Sequence, residues 1–268
     1  MNARRLKALI YRNITAVGGT RWGAKVATAV QTVDQAFKND SADSRSNGET
    51  WLLESLSSLD PRVVLDVGAN VGSWTSIALR AFPSATVHAF EPIEATYAKL
   101  VATHGSTPRV VTSNVALTSN DAGPLTMWTG SDSTLASTVK QPNRPGQETS
   151  VQSASGDAYC RQAGIDHIDL LKVDTEGHDL EVLRGFTGLI ESGGIDVIQF
   201  EFTLFAVFVR TWLRDFHDLL GPAGYSIGKL YPSWIDWTAY DASDERYLRC
   251  NFVAARQGSP AGALLGLR

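Results

Sequence analysis

A glycine-bearing turn, Asp66-Val67-Gly68-Ala69-Asn70-Val71-Gly72, joins an apolar strand-like run to a helix-like one. Glycines at such a junction let backbone N–H groups approach a ligand at the carboxyl edge of a doubly wound sheet, where these folds bind cofactors. The next apolar run, residues 86–91, ends in Glu91, an acid placed to accept hydrogen bonds from both ribose hydroxyls of an adenosine cofactor. A dinucleotide would ask for G-x-G-x-x-G around its pyrophosphate. This turn instead offers Gly68 and Gly72 with Asn70 between them, and Asp66 adds a carboxylate. That charge is awkward for pyrophosphate and useful for the amino group of a methionyl moiety. A plain tight turn without a ligand is the competing reading, weakened by two acids in register.

These residues need a sheet to hold them. Residues 62–66 read as a short strand buried on both faces, and 86–91 and 110–113 as the next two strands, separated by helical patterns such as Trp74, Ile77, Ala78 and Phe82. The alternation implies right-handed βαβ crossovers and a doubly wound α/β sheet. Residues 123–156 are rich in Ser, Thr, Gly and Pro, with an extra strand at 125–128 and a loop at 141–146. Strand, helix and strand resume over 168–174, up to about 190, and over 196–202. Phe205, Phe208, Val209, Trp212, Phe216, Leu219 and Leu220 then mark one amphipathic helix, assigned to packing. Residues 224–227 and 249–254 supply a closing pair of strands around an aromatic loop.

Residues 1–59 form a helical extension: Val26, Val30, Val33 and Phe37 recur at helical spacing, and a second short helix carrying Trp51, Leu52 and Leu56 stops at Asp60-Pro61. It would cover a substrate site, build a homodimer contact or pad the core. Residues 60–257 form the catalytic domain, and 258–268 are expected to be a loose tail.

Composition sets limits. The 268 residues are 43% hydrophobic and 19% charged, enough for a core and against disorder. Lys and Arg total 24 against 28 Asp and Glu, the reverse of a nucleic-acid footprint. No apolar run approaches the roughly 20 residues of a membrane span, and Arg12, Arg21 and Lys25 interrupt any secretory apolar segment. Cys160 and Cys250 read as reduced thiols in a cytoplasm.

Four segments together resemble the FkbM family of S-adenosylmethionine-dependent methyltransferases: the glycine turn, Phe90-Glu91-Pro92, Asn114-Val115-Ala116-Leu117, and residues 169–178 with the Lys172-Val173-Asp174-Thr175-Glu176-Gly177 stretch. The resemblance runs from about residue 63 to 254. It implies a class I Rossmann-like sheet of seven strands, the last antiparallel, and methylation of a hydroxyl on a sugar or polyketide-type product. Asp66, Gly68, Asn70 and Gly72 would surround the methionine end of S-adenosylmethionine, and Glu91 its ribose. Asn114 would lie near adenine, or bond its local backbone as a turn residue.

Methyl transfer from a sulfonium is an in-line displacement, so positioning can supply most of the catalysis. A secondary alcohol still needs a base within hydrogen-bond reach, or a metal that acidifies it. Asp174, Glu176 and His178 join a sheet edge to a helix start, and Glu201 ends the neighbouring strand. His178 is the expected general base, its ordinary pKa being about 6.5, with Asp174 positioning the hydroxyl or orienting His178, and Glu201 in support. Asp174 and Glu201 would ligate Mg²⁺ if the reaction used one. Trp234 and Trp237, which follow no packing period, are expected to contact a small-molecule or glycan acceptor. The competing functions are an NAD(P)-dependent oxidoreductase, which lacks its Tyr-x-x-x-Lys pair here, and a non-catalytic S-adenosylmethionine-binding protein.

Overall fold

The computed structural model describes residues 20–37, 39, 41, 43–44, 46–120, 123–130, 136–140, 146–247 and 249–267. Residues 1–19 of the expected helical extension, with Arg4, Arg5, Lys7 and Arg12, and most of the expected 141–146 loop lie outside them.

Among the described residues thirteen strands follow in order: β1 Val63–Val67, β2 Thr86–Phe90, β3 Val110–Ser113, β4 Ala116–Thr118, β5 Leu125–Thr129, β6 Ala136–Ser137, β7 Gln147–Val151, β8 Ser153–Ser155, β9 Ile168–Val173, β10 Ile195–Phe202, β11 Tyr225–Tyr231, β12 Trp234–Asp236 and β13 Cys250–Arg256. The helices are α1 Arg21–Phe37, α2 Glu49–Leu56, α3 Ser73–Ala81, α4 Glu94–His104, α5 Gly156–Ala163, α6 Asp179–Arg184, α7 Thr187–Glu191, α8 Phe205–Val209, α9 Leu213–Leu220 and α10 Pro260–Leu264.

The main sheet has eight strands in the order β12-β11-β13-β10-β9-β1-β2-β3. Strands β3, β2, β1, β9 and β10 pair in parallel, and β13 runs antiparallel between β10 and β11. The expectation of seven strands with one reversed is therefore short by one. Chain that reads as an aromatic loop turns back at once and pairs Tyr231 with Trp234, adding β12 as an edge. Residues 125–129 do form a strand, in a separate small sheet β6-β5-β7, while β4 pairs with β8.

Alternation along the central strands feeds two cores, as burial on both faces requires. Leu65, Val67, Leu171, Val173, Ile198 and Phe200 pack on one side with Leu180 and Leu183 of α6 and Phe216 of α9. Val64, Leu170 and Val197 pack on the other with Trp74 and Ala78 of α3 and with Leu52, Leu53 and Leu56 of α2. Helix α2 is thus part of the catalytic core, and the boundary at residue 59 does not separate two cores. In α1, Val30 and Val33 are exposed, so these two do not pad the core.

Two other expectations change. Residues 258–267 are not loose: Ser259 caps α10, and Ala261 and Leu265 are buried against α2 and the sheet. The helix read across 205–220 is two, divided where Arg210 takes a left-handed φ of 58°. Glu245 accepts the backbone N–H groups of Leu213 and Arg214, fixing a new helix start there. The break leaves Phe208 and Trp212 exposed rather than packed.

Candidate active site

At the end of β1 the turn takes left-handed φ at Gly68, Asn70 and Gly72. A Cβ on Gly68 would fall 1.9 Å from the carbonyl oxygen of Asp174, so only glycine lets the first turn and the end of β9 meet. Gly72 starts α3, and its carbonyl accepts a hydrogen bond from His104 Nε2. Gly72 therefore supports the turn from beneath and does not line the cleft; Gly68, Ala69, Asn70 and Val71 do.

Glu91 is buried in the cleft wall. Its carboxylate accepts the N–H groups of Asn70 (3.1 Å) and Ile93 (2.8 Å). Burial pushes its pKa up to about 7, against the pull of those two N–H groups. Asn114 donates to the carbonyls of Glu91 and Pro92. It is absent from the cleft lining and clips the Glu91 turn in place, the turn-forming role rather than the adenine contact.

Asp66 is fully buried and does not reach the cleft. It shares the face of β1 that carries Val64, and there it accepts from the Thr75 hydroxyl (2.6 Å) and the Lys172 ammonium (3.2 Å). The expected contact with a methionyl amino group is thus replaced by an internal ion pair. Asp66 and Lys172 are direct partners in the β1–β9 register, which is why a lysine can sit in the middle of a buried sheet.

Lys172 also lies 3.4 Å from Asp174, whose side chain keeps 37% exposure at the cleft. Burial works to deprotonate Lys172 and is overcome by Asp66, Asp174 and Glu49, which hold its pKa above the ordinary lysine value. Glu49 comes from α2. It accepts from Gln199 (2.7 Å) and Asn47 (3.0 Å) and lines the cleft, with its pKa raised by burial. Sequence reasoning passed over both Lys172 and Glu49.

Acids gather at the ends of β9 and β10. Glu176 takes a φ of 52° and lines the cleft, and its carbonyl accepts from Ser137 of β6. Asp179 accepts from Thr175 and from the Glu201 N–H, and burial followed by the nearby Asp174 pushes its pKa up to about 7. Glu201 sits 3.7 Å from Arg249, and its pKa is raised by burial, then by Asp174, Glu176 and Asp179. His178 is set back from the main cleft. Its Nε2 is 2.9 Å from the Thr118 hydroxyl of β4, it lines a small side pocket that shares Gly68, Pro92, Met127 and Thr175 with the cleft, and burial lowers its pKa.

Neither tryptophan expected at the acceptor lines the cleft. Trp237 donates its indole N–H to the Leu265 carbonyl and packs over Gly228, so α10 accounts for it. Trp234 is 50% exposed and stacks on Tyr231 at 4.5 Å.

The cleft encloses about 480 Å³, within the usual range for small-molecule sites. Glu49, Glu91, Asp174 and Glu176 make its charged lining acidic, and its lysine is already committed to Asp66 and Asp174. Such walls repel a pyrophosphate and suit an adenosine bearing a sulfonium and an ammonium. The Trp74 indole N–H, buried in the same wall, has no hydrogen-bond partner among the described residues. The residues fit S-adenosylmethionine. They do not fit Mg²⁺ at Asp174 and Glu201, where Lys172 and Arg249 already stand against the two carboxylates. Among the described residues, the group of three or more metal-ligating side chains that converges is His167, Asp169 and Asp196, on strand ends at the opposite edge.

The Methyltransferase FkbM domain matches residues 66–227, more than half of the chain. The chain belongs to the FkbM methyltransferase family. It is an S-adenosylmethionine-dependent methyltransferase. Hexuronic acid methyltransferase AglP of Haloferax volcanii is 26% identical over 170 residues, 63% of this chain and 68% of AglP. The 2-O-methyltransferase NoeI of Sinorhizobium fredii is 28% identical over 145 residues; the match spans 47% of this chain and only 57% of NoeI. Among solved structures, a putative O-methyltransferase from Klebsiella pneumoniae aligns with a TM-score of 0.46 at 12% identity, over 83% of this chain and 88% of that one. The FkbM match begins at Asp66, so Glu49 enters the cleft from outside the matched domain. No described helix is long and apolar enough to cross a membrane.

Proposed function

We propose that this FkbM-family enzyme methylates a hydroxyl of a saccharide acceptor, with Asp174 as the group that receives the hydroxyl proton. The saccharide class is taken from the names of the two relatives, a hexuronic acid methyltransferase and a 2-O-methyltransferase. The observation that carries the chemistry is Asp174 itself: a half-exposed carboxylate at the cleft, beside the glycine turn, held at 3.4 Å by a buried ammonium. S-adenosylmethionine supplies a methyl group on a sulfonium, an electrophile that a correctly placed oxygen attacks in line.

The remaining work belongs to the chain. Glu91 holds the ribose, and the Gly68–Asn70 backbone and Trp74 border the methionine end. Lys172, fixed by Asp66, aims Asp174 toward the cleft. Proton transfer needs only to accompany attack, so a well-positioned carboxylate serves as the acceptor. Glu201 and Asp179, behind it, form the acidic second layer. No step is assigned to a metal.

Asp174→Asn tests the assignment, because it keeps the shape and removes the proton acceptor. With label transfer from S-adenosylmethionine to a saccharide acceptor, kcat is expected to fall about 10²–10⁴-fold, with S-adenosylhomocysteine affinity held within about threefold. A loss under tenfold would remove Asp174 from the proton path.

A further inference from the structure

The chain's charge is divided unevenly. Residues 1–33 hold six of the 24 Lys and Arg (Arg4, Arg5, Lys7, Arg12, Arg21 and Lys25) and none of the 28 Asp and Glu. Residues 34–268 hold 18 against 28, a net charge of −10. The first acid, Asp34, falls near the end of α1. An acidic protein thus carries a wholly basic segment, an asymmetry that points to an anionic partner for that segment.

Within it, α1 has two faces. Trp22, Val26, Val30 and Val33 recur at i, i+4, i+8 and i+11, within about 80° of arc at 3.6 residues per turn. Trp22 is 66% exposed, Val30 and Val33 are exposed too, and Val26 is half-buried. Among the described residues, α1 contributes nothing to any buried apolar cluster. Arg21 and Lys25 stand along one edge of the stripe with Thr28 and Thr32. Both threonine hydroxyls donate one turn back, to the carbonyls of Ala24 and Thr28, and are satisfied within the helix.

The helix is rooted near the active site. Two residues past α1, Asn39 is buried at a φ of 55° and donates to the carbonyls of Asn47 (2.6 Å) and Leu230 (2.9 Å). Asn47 in turn holds Glu49 at the cleft (3.0 Å). The chain leaving α1 is therefore pinned to β11 and to the cleft wall, while Trp22, Val30 and Val33 stay exposed.

A stripe of valines with a tryptophan, edged by Arg and Lys, matches the boundary between lipid headgroups and acyl chains. The apolar face enters that boundary and the cations meet anionic headgroups. We infer that α1, with the basic segment before it, docks on the surface of an anionic phospholipid bilayer. At 17 residues, with cations at Arg21 and Lys25, α1 lies along the surface rather than across it. A nucleic acid would use the cations and leave the stripe idle, since its backbone asks for hydrogen-bond donors. A second copy of the chain would set two basic segments against each other.

The test is co-sedimentation of the full chain with phosphatidylcholine vesicles containing about one-quarter phosphatidylglycerol, and with phosphatidylcholine alone, at about 0.1 and 0.5 M salt. The wild-type chain is compared with Arg21→Gln/Lys25→Gln and with Trp22→Ser/Val30→Ser. Partitioning onto the anionic vesicles is expected to be at least about tenfold stronger than onto the neutral ones and to fall with salt. The charge variant should weaken it about 5–30-fold and the apolar variant about tenfold or more. S-adenosylhomocysteine affinity without vesicles should be unchanged in both, reporting an intact fold. Equal binding to the two vesicle types, binding to neither, or binding unchanged in both variants would overturn the inference. So would tighter binding of a single-stranded RNA of about 20 nucleotides, or a dimer lost in the apolar variant with no vesicle binding. No turnover is read, so failure here is distinct from failure of the methyl-transfer reading.

Discussion

The Lys172 ammonium lies 3.2 Å from Asp66, and the β1–β9 register makes the two direct partners inside the sheet. This pair anchors Asp174 from below and binds the glycine turn to the strand that carries the acids. Removing one member leaves the other as an uncompensated buried charge. Lys172→Met is expected to cost about 3–5 kcal/mol, seen as a lower midpoint in chemical denaturation. A loss under about 1 kcal/mol would show that the pair is not structural.

Glu91 gives a pH signature. With its pKa near 7, it is mostly protonated at pH 6 and mostly ionised at pH 8, and in the proposed ribose-binding role the hydroxyls need the ionised form as acceptor. Cofactor affinity should therefore fall by about tenfold from pH 8 to pH 6 and be flat in Glu91→Gln. The stability of the free protein runs the other way. A carboxyl whose folded pKa is raised contributes stability at low pH that is lost as pH rises through about 7. Calorimetric titration at several pH values checks the sign; an affinity that rises on acidification contradicts the role of Glu91.

His178 separates two accounts of the proton path. Its imidazole is engaged with Thr118, in a side pocket behind the main cleft. His178→Ala is expected to lower kcat by less than tenfold and to loosen the β4 side of the turn. A loss of about 10²–10⁴ would return the base to His178 and displace Asp174.

Much of this was legible in sequence. Strands buried on both faces read as apolar runs, and the Gly68–Gly72 turn with Glu91 pointed to the cofactor edge that the cleft occupies. The failures have physical causes. Parity along β1 turns Asp66 away from the cleft, which a motif match does not report. Lys172 carries no role of its own in the sequence reading; a lone lysine in a strand buried on both faces demands a buried carboxylate, and Asp66 supplies it. Glu49 meets Gln199 across 150 residues, beyond any local pattern. Trp237 seemed free because its partner Leu265 lay in a segment read as loose. His178 was placed correctly at a helix start, but position in a turn does not give the direction of the ring.

The central claim is oxygen methylation of a saccharide, and the position of the transferred methyl tests it most directly. The enzyme is incubated with methyl-labelled S-adenosylmethionine and a panel of neutral and uronate-containing oligosaccharides, with and without EDTA, and the products are mapped by NMR and tandem mass spectrometry. The expected result is a labelled methyl ether at a sugar hydroxyl, matched by equimolar S-adenosylhomocysteine and insensitive to EDTA. Label on nitrogen or carbon of another acceptor class, with no methyl ether on any saccharide, would contradict the account.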